Sequence, residues 1–294
     1  MRGTKPLLAI EQSVKRDGII RAAEHVLIAC SGGSDSVALA AILQALSKTL
    51  RLRLTLAHVN HGVRDSAWQD EAVVLRVSAA LGLPLKVIGL QLARRDEAAM
   101  RDARYEALEQ LARAAGAGVV ATGHTASDQT ETVLLALFRG AGADGLAGMP
   151  ARRRLGGGLE LARPLLRLER EELRSYVQHA GLPYAIDPTN ADRTLRRNAV
   201  RVALEALRPL FPGLDAAVAR AAEVVGAELG ATPVAAARRQ VRAALREHEA
   251  LDGVDFEHVE AAVRALQQGA SGRFFMAPGV EIEVAGGAVV VQRK

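Results

Sequence analysis

The chain is expected to fold as an α/β protein, a parallel sheet with helices on both faces, followed by a small α+β domain. Three observations predict this. Short apolar runs of strand length alternate with segments of helical length through the first half of the 294 residues. The most polar motifs fall directly after those apolar runs. Beyond Pro209 and Phe211-Pro212-Gly213 the composition shifts to alanine-rich helices and then to three β-like pieces. Alternation specifies a parallel sheet because each parallel connection needs a crossover that packs back onto it. In such sheets ligands sit at the carboxyl ends of the strands.

His25 to Cys30 reads HVLIAC, a strand-length apolar run, and Ser31-Gly32-Gly33-Ser34-Asp35-Ser36 turns it into VALAAILQAL, which has helical length and propensity. Residues 51–60 make the next strand, Ala67 to Leu81 a helix, Leu85 to Leu90 a strand, Arg95 to Ala115 a helix and Gly118 to Thr122 a strand. A helix from about Ser127 to Phe138 follows. Gly140 to Gly158, rich in glycine and arginine, is expected to be a loop able to close over a site. The pattern resumes with Arg163 to Leu166, a helix over Glu169 to Ala180 and an arginine-rich helix near Leu195 to Leu207. Helices over about Leu214 to Leu229, Pro233 to Ala250 and Asp255 to Gln268 come next. Strands at Arg273 to Met276, Val280 to Val284 and Ala288 to Gln292 are parted by Pro278-Gly279 and Gly286-Gly287. The expected domains are 1–208 and 209–294.

A composition of 49% hydrophobic and 24% charged residues is that of a globular chain with a sizeable core. No apolar stretch approaches the roughly 20 residues of a membrane-spanning helix, and Glu11, Lys15, Arg16 and Asp17 break the N-terminal segment. A soluble, cytoplasmic protein without a membrane partner is therefore expected. One cysteine, Cys30, excludes an internal disulfide, a four-cysteine zinc site and a cysteine-ligated iron–sulfur cluster. The net charge of +5 invites a polyanion, and the stretch Pro150 to Arg201, with 11 arginines and 6 acidic residues, carries an excess of the same size.

Ser31 to Ser36 is the sharpest motif. Two glycines at a strand end let successive N–H groups point into one concavity, and the following helix adds its positive end, which suits a phosphate chain. Hydroxyls of Ser31, Ser34 and Ser36 can add donors. The spacing and the missing lysine distinguish it from the loop of kinases and GTPases. SGGSDS instead resembles the pyrophosphate-binding loop of the ATP pyrophosphatases. Thr122-Gly123-His124-Thr125-Ala126-Ser127-Asp128-Gln129-Thr130-Glu131-Thr132, His58-Val59-Asn60-His61-Gly62-Val63-Arg64, Ala103-Arg104-Tyr105 and Arg197-Asn198-Ala199-Val200-Arg201 narrow the likeness. With them the chain resembles the tRNA(Ile)-lysidine synthetase family in its short form, which implies an adenine-nucleotide-hydrolase-like, Rossmann-like fold. It also implies a PP-loop catalytic domain with a helical extension over 1–208 and a tRNA-binding type of domain over 209–294.

The resemblance implies a ligase acting in tRNA processing. The C2 oxygen of the wobble cytidine, in an isoleucine tRNA with a CAU anticodon, attacks ATP and releases pyrophosphate. L-lysine then displaces AMP to form lysidine. Another ATP pyrophosphatase, such as a tRNA thiolase, and a nucleotide-binding module without turnover are the alternatives. Adenylation calls for Mg²⁺, a cation and oriented backbone donors rather than a covalent nucleophile. Asp35 and Asp128 are expected to hold Mg²⁺, Ser31, Gly32, Gly33, Ser34, Asp35 and Ser36 to bind ATP, and Arg104 and His124 to stabilise the α-phosphate and the adenylate. Glu131 is expected to recognise lysine, although Asp128 and Glu131 also fit a capping box. His58, Asn60, His61 and Arg64 are expected to line the entrance for the base, since paired histidines without further ligands make a poor zinc site. Asp187-Pro188-Thr189-Asn190 would shape the pocket. Arg152 to Arg154, Arg193, Arg196, Arg197 and Arg201 are candidates for the RNA backbone, Arg197 and Arg201 sharing a helix face. The sequence leaves room for a homodimer. With 3% aromatic residues, RNA binding is expected to rest on shape and charge and to weaken with salt.

Overall fold

The computed structural model describes residues 4–60, 67–90, 97–185, 196–231, 233–248, 254 and 256–293. By packing, the chain divides into two compact units, Met1–Glu131 with Met149–Ala219, and Thr132–Gly148 with Arg220–Lys294. The expected division at 208/209 falls inside the first unit's second segment.

In the first unit α1 (Thr4–Asp17) precedes β1 (His25–Ala29), α2 (Ser34–Leu50), β2 (Arg53–Asn60), α3 (Ala67–Leu81), β3 (Leu85–Gly89), α4 (Glu97–Ala115) and β4 (Val119–Ala121). Next come α5 (Ala126–Phe138), α6 (Ala143–Leu146), which lies in the second unit, the pair β5 (Arg152–Gly156) and β6 (Leu159–Ala162), α7 (Arg170–His179) and α8 (Arg196–Leu207). The sheet runs β3-β2-β1-β4-β6-β5, parallel except for β5, which is antiparallel to β6. The mostly parallel α/β class is therefore as expected, with one antiparallel edge.

Both faces of this sheet are covered, and the pleat shows how. Val26 and Ile28 of β1 and Leu54 and Leu56 of β2 join a core with Val37, Leu39 and Ile42 of α2, Val74 and Val77 of α3, and Leu173 and Val177 of α7. Leu27, Ala57 and Val120 point the other way, onto Tyr105, Leu108 and Ala112 of α4. Successive strand residues face opposite sides, so a sheet buried on both faces reads as an unbroken apolar run. Burying each large aliphatic side chain contributes about 2 kcal/mol.

Two local expectations are corrected. The Gly140 to Gly158 segment is not one loop but holds α6, β5 and the turn into β6. Gly156, Gly157 and Gly158 all have positive φ, making the tight reversal that a glycine count alone reads as a loop. The strand expected at Arg163 to Leu166 lies four residues earlier, at Leu159–Ala162, and Arg163 begins the turn after it. Helix α1 carries several charged residues and packs Val14 into the core, with Leu7 and Ile10 against it.

The second unit includes α10 (Pro233–Glu247), α11 (Phe256–Gln268) and the antiparallel sheet β7 (Gly272–Ala277), β8 (Val280–Ala285) and β9 (Ala288–Arg293); α9 (Leu214–Ala231) leads into it. Val241, Leu245, Val263, Met276, Ile282 and Val284 form its core. Gly286 and Gly287, both at positive φ, make the two-residue hairpin between β8 and β9, as Ala285 pairs with Ala288. This is the small α+β unit expected from the sequence. No helix among the described residues is long and apolar enough to cross a membrane.

Candidate active site

Strands β1 and β4 lie side by side, and the chain leaves β1 for opposite sides of the sheet, to β2 on one flank and β4 on the other. A cleft opens at the carboxyl ends where the strand order reverses in this way. The loop Cys30 to Ser36 leaves β1 at that point, and Thr122 to Thr125 leaves β4 beside it. The two loops touch: a methyl group on Gly123 would lie 2.9 Å from the Asp35 carbonyl oxygen, so only glycine fits there.

The first loop is braced from within. Gly32 has φ +94, and its carbonyl accepts from the Ala185 N–H at 2.8 Å. The Ser36 hydroxyl donates to the Gly33 carbonyl at 2.9 Å and accepts from the Ser31 N–H at 3.2 Å. Buried and bonded in this way, Ser36 shapes the loop rather than offering the free donor expected of it. Ser34 donates to Asp35 Oδ1 at 3.1 Å, while Ser31 is exposed. Gly33 caps α2, whose first-turn N–H groups have no intrahelical acceptor and open toward the cleft.

Asp35 and Asp128 meet at one guanidinium that sequence reasoning missed. Arg170, at the start of α7, donates to Asp35 Oδ2 at 3.1 Å and to Asp128 Oδ1 at 3.4 Å. Only its place as the first residue of a helix capped by Glu169 hinted at more than a surface residue. Asp128 Oδ2 also accepts from the Thr125 N–H at 2.9 Å and hydroxyl at 3.0 Å. Its carboxyl group therefore turns back to cap α5 at Thr125 instead of forming the expected box with Glu131. Burial raises Asp128, but Arg170, His124 and the Thr125 N–H outweigh it and hold its pKa below the usual value. Burial lifts Asp35 above the ordinary carboxylate value, with Arg170 opposing and Asp128 adding to the rise.

Glu131, one turn further along α5, is completely buried. Arg197 donates to its Oε2 at 2.7 Å and Arg201 to its Oε1 at 2.8 Å, from the same face of α8, as their spacing predicts. Arg197 also lies 3.7 Å from Asp128. Both arginines, expected on the RNA backbone, are engaged with carboxylates here. Arg152, placed in the same group, bonds Glu24 at 2.7 Å, Glu160 and the Ile19 carbonyl, and so ties β5 to the N-terminal segment instead.

His124 bonds the Thr122 hydroxyl through Nδ1 at 2.8 Å. Burial, together with Arg163, Arg104 and Arg197 and against the pull of Asp128, holds its pKa well below the usual imidazole range, so the ring is neutral at physiological pH. Arg104 stands 5.5 Å from the centre of the Tyr105 ring. His58 is not at an open entrance: it lies inside β2, buried, with Nδ1 2.9 Å from the Cys30 carbonyl, where it fixes the end of β1. Asn60 closes β2 and donates to Glu71 at 3.1 Å. His61, Arg64, Asn190, Asp187 to Thr189, Arg193 and the Arg196 side chain lie outside the described residues.

Asp35 and Asp128 fit part of a magnesium site. They stand in the first turns of α2 and α5, the helices that follow neighbouring strands β1 and β4, and both contact the Arg170 guanidinium. No cluster of three or more metal-ligating side chains occurs among the described residues. Two carboxylates completed by phosphate and water oxygens are the donor set that Mg²⁺ commonly takes.

A family model described as a PP-loop domain matches residues 7–207. The chain is 44% identical over 234 residues to the tRNA(Ile)-lysidine synthase of Salinispora tropica, covering 77% of this chain and 70% of that protein. To the protein of the same name from Dehalococcoides mccartyi it is 32% identical over 270 residues, covering 87% of this chain and 57% of that protein. Among solved structures, the U34-tRNA thiolase NcsA of Methanococcus maripaludis matches at 17% identity with a TM-score of 0.63, over 75% of this chain and 80% of that one, which shows a shared fold. The PP-loop match over the site-bearing unit and the identity to lysidine synthases agree: the chain belongs to the tRNA(Ile)-lysidine synthase family.

Proposed function

We propose that this protein ligates L-lysine to the wobble cytidine of a CAU-anticodon isoleucine tRNA, using ATP and releasing pyrophosphate and AMP. The observation that carries this reading is the meeting of the Ser31 to Ser36 loop and the Thr122 to Glu131 segment across Gly123. That contact puts backbone donors, two carboxylates and a neutral imidazole at one strand-order switch.

The N–H groups of Gly33 to Ser36 and the positive end of α2 receive the pyrophosphate end of ATP. Asp35 and Asp128 would hold Mg²⁺, which when bound neutralises phosphate charge. Arg170 holds the two carboxylates together and limits their repulsion. Arg104 supplies the cation at the α-phosphate, and His124, neutral and fixed by Thr122, supplies a hydrogen bond without repelling a cationic substrate amine. Glu131 recognises the lysine ammonium only when a guanidinium leaves it. Arg197, the more exposed of its two partners and divided between Asp128 and Glu131, is the one placed to leave.

The thiolase alternative shares the fold, but Cys30 is the one cysteine; it is buried, and burial raises its pKa, which disfavours the reactive thiolate. Pyrophosphate release from ATP, measured with and without CAU-anticodon tRNA, tests the proposal. Release that depends on the tRNA and on its wobble cytidine is expected. Release indifferent to tRNA would overturn the assignment of the acceptor.

A further inference from the structure

The α4 side of the sheet carries a cation cluster of which the reaction described above uses only Arg104. Three guanidinium carbons surround the Tyr105 ring, those of Arg101 at 5.9 Å, Arg104 at 5.5 Å and Arg153 at 5.4 Å from its centre. A fourth, Arg163, lies beside them, 98% buried at 2% exposure. It donates to the Pro150 carbonyl at 2.7 Å, yet its Nε has no hydrogen-bond partner. Among the described residues no carboxylate forms an ion pair with any of the four. The acidic neighbours on α4, Asp102 and Glu106, are exposed and make no such bridge.

Such an arrangement is costly in isolation. Buried charge is ordinarily paired, and a buried polar atom without a partner calls for an explanation. The strain is visible in the ionisation of the cluster. Burial lowers the pKa of Arg163, and Arg153 and Arg101 lower it further, while Tyr105 partly offsets this. Burial alone would raise the Tyr105 hydroxyl, but Arg163, Arg104 and Arg101 bring it below its ordinary value. Both shifts have the sign expected where an anion is missing. Planar guanidinium groups converging on one volume match the oxygens of a phosphate group.

We propose that Arg101, Arg104, Arg153 and Arg163 around Tyr105 form a binding site for a phosphate ester, the RNA phosphodiester next to the reacting nucleotide being the occupant that the placement favours. Helix α2 and its phosphate loop belong to one face of the sheet, whereas Tyr105 packs with α4 on the other. His124 follows β4 between them and feels the charge of both Arg163 and Arg104. ATP held at the α2 end thus leaves the cluster on the opposite side of His124, where the second polyanion of the reaction approaches. The RNA assignment rests on the proposed function; the anion site itself does not. Arg104 can serve both, as the cation between the two phosphate positions. Phosphate contacts position a nucleic acid without reading its sequence, so the site would fix the backbone while other groups select the base.

Arg153→Ala and Arg101→Ala, both at the accessible rim of the cluster, test this on the full chain. Binding is measured to a CAU anticodon stem-loop, to the same stem-loop with uridine at the wobble position, and to a non-hydrolysable ATP analogue. Each substitution is expected to weaken both stem-loops by the same factor, roughly 5–10-fold, and to reduce the salt dependence by about one phosphate contact. ATP-analogue affinity is expected to stay within twofold. Equal loss on the two stem-loops supports the site even if wild-type protein does not distinguish cytidine from uridine, an outcome that would count only against the proposed function. Loss of analogue affinity with RNA binding intact would move the phosphate ester to ATP and overturn the RNA assignment. No change in any of the three would overturn the site.

Discussion

Glu131 combines full burial with two guanidinium partners, a geometry in which the charge on either side depends on the other. Glu131→Gln keeps the shape and removes the charge, leaving Arg197 and Arg201 facing an amide. The expected cost is about 3 kcal/mol, at the low end for a broken buried pair because the arginines retain solvent access. Denaturant titration checks it, and a rise in KM for lysine larger than any change in KM for ATP is expected alongside. Arg170 acts through Asp35 and Asp128, so its loss is expected to appear in the first half-reaction. Arg170→Met is expected to lower tRNA-dependent pyrophosphate release about 100-fold. Arg170→Lys should restore part of that rate, whereas a merely structural role would show equal stability loss without rescue. His124 adds a pH signature. Its folded-state pKa lies below the unfolded value of about 6.5, so protonation favours unfolding. The corresponding stability is complete above about pH 6.5 and is lost as pH falls toward the folded value. His124→Gln is therefore expected to lose less stability than wild type between pH 7 and pH 5, as chemical denaturation at both values would show.

At the scale of elements, the contact of two loops across Gly123 governs the site. Gly123→Ala places a methyl group 2.9 Å from the Asp35 carbonyl, against backbone that cannot swing aside. A loss of about 1–3 kcal/mol is expected from the overpacking, with weakened ATP binding because the loop must shift. Thermal melting and ATP titration on one preparation measure both. The elements around this contact were legible in sequence because their signals are local. HVLIAC is buried on both faces and so reads as continuous apolar sequence, and the glycines of Ser31 to Ser36 mark a turn by their own conformational demands. Strand β5, with the sequence RRRLG, was not legible. It is a half-exposed edge strand whose arginines belong to partners far along the chain, Arg152 to Glu24 and Arg153 to Tyr105. Arg170 was hidden for the same reason, since its partners lie 135 and 42 residues away and no spacing rule connects them. The pairing of Arg197 with Arg201 was legible as a shared face, but not what that face meets, because only the fold brings α8 to Glu131.

At the scale of the whole molecule, a globular composition with a basic excess is compatible with many activities, and the site narrows them. The first unit supplies a phosphate-binding loop, two carboxylates joined by Arg170, a neutral histidine and an arginine cluster around one ring. The second is a separate α+β unit with its own core. A ligase acting on RNA needs both a place for ATP and a place for a second polyanion, and the first unit offers two cationic or donor-lined surfaces on opposite faces of one sheet. The most direct test of the central claim is transfer of radiolabelled lysine by the full chain. Purified CAU-anticodon isoleucine tRNA is compared with the same tRNA carrying uridine at the wobble position, each with and without ATP. ATP-dependent incorporation into the cytidine-bearing tRNA alone is the predicted result. Incorporation into both, or none into either while pyrophosphate is released, would contradict it.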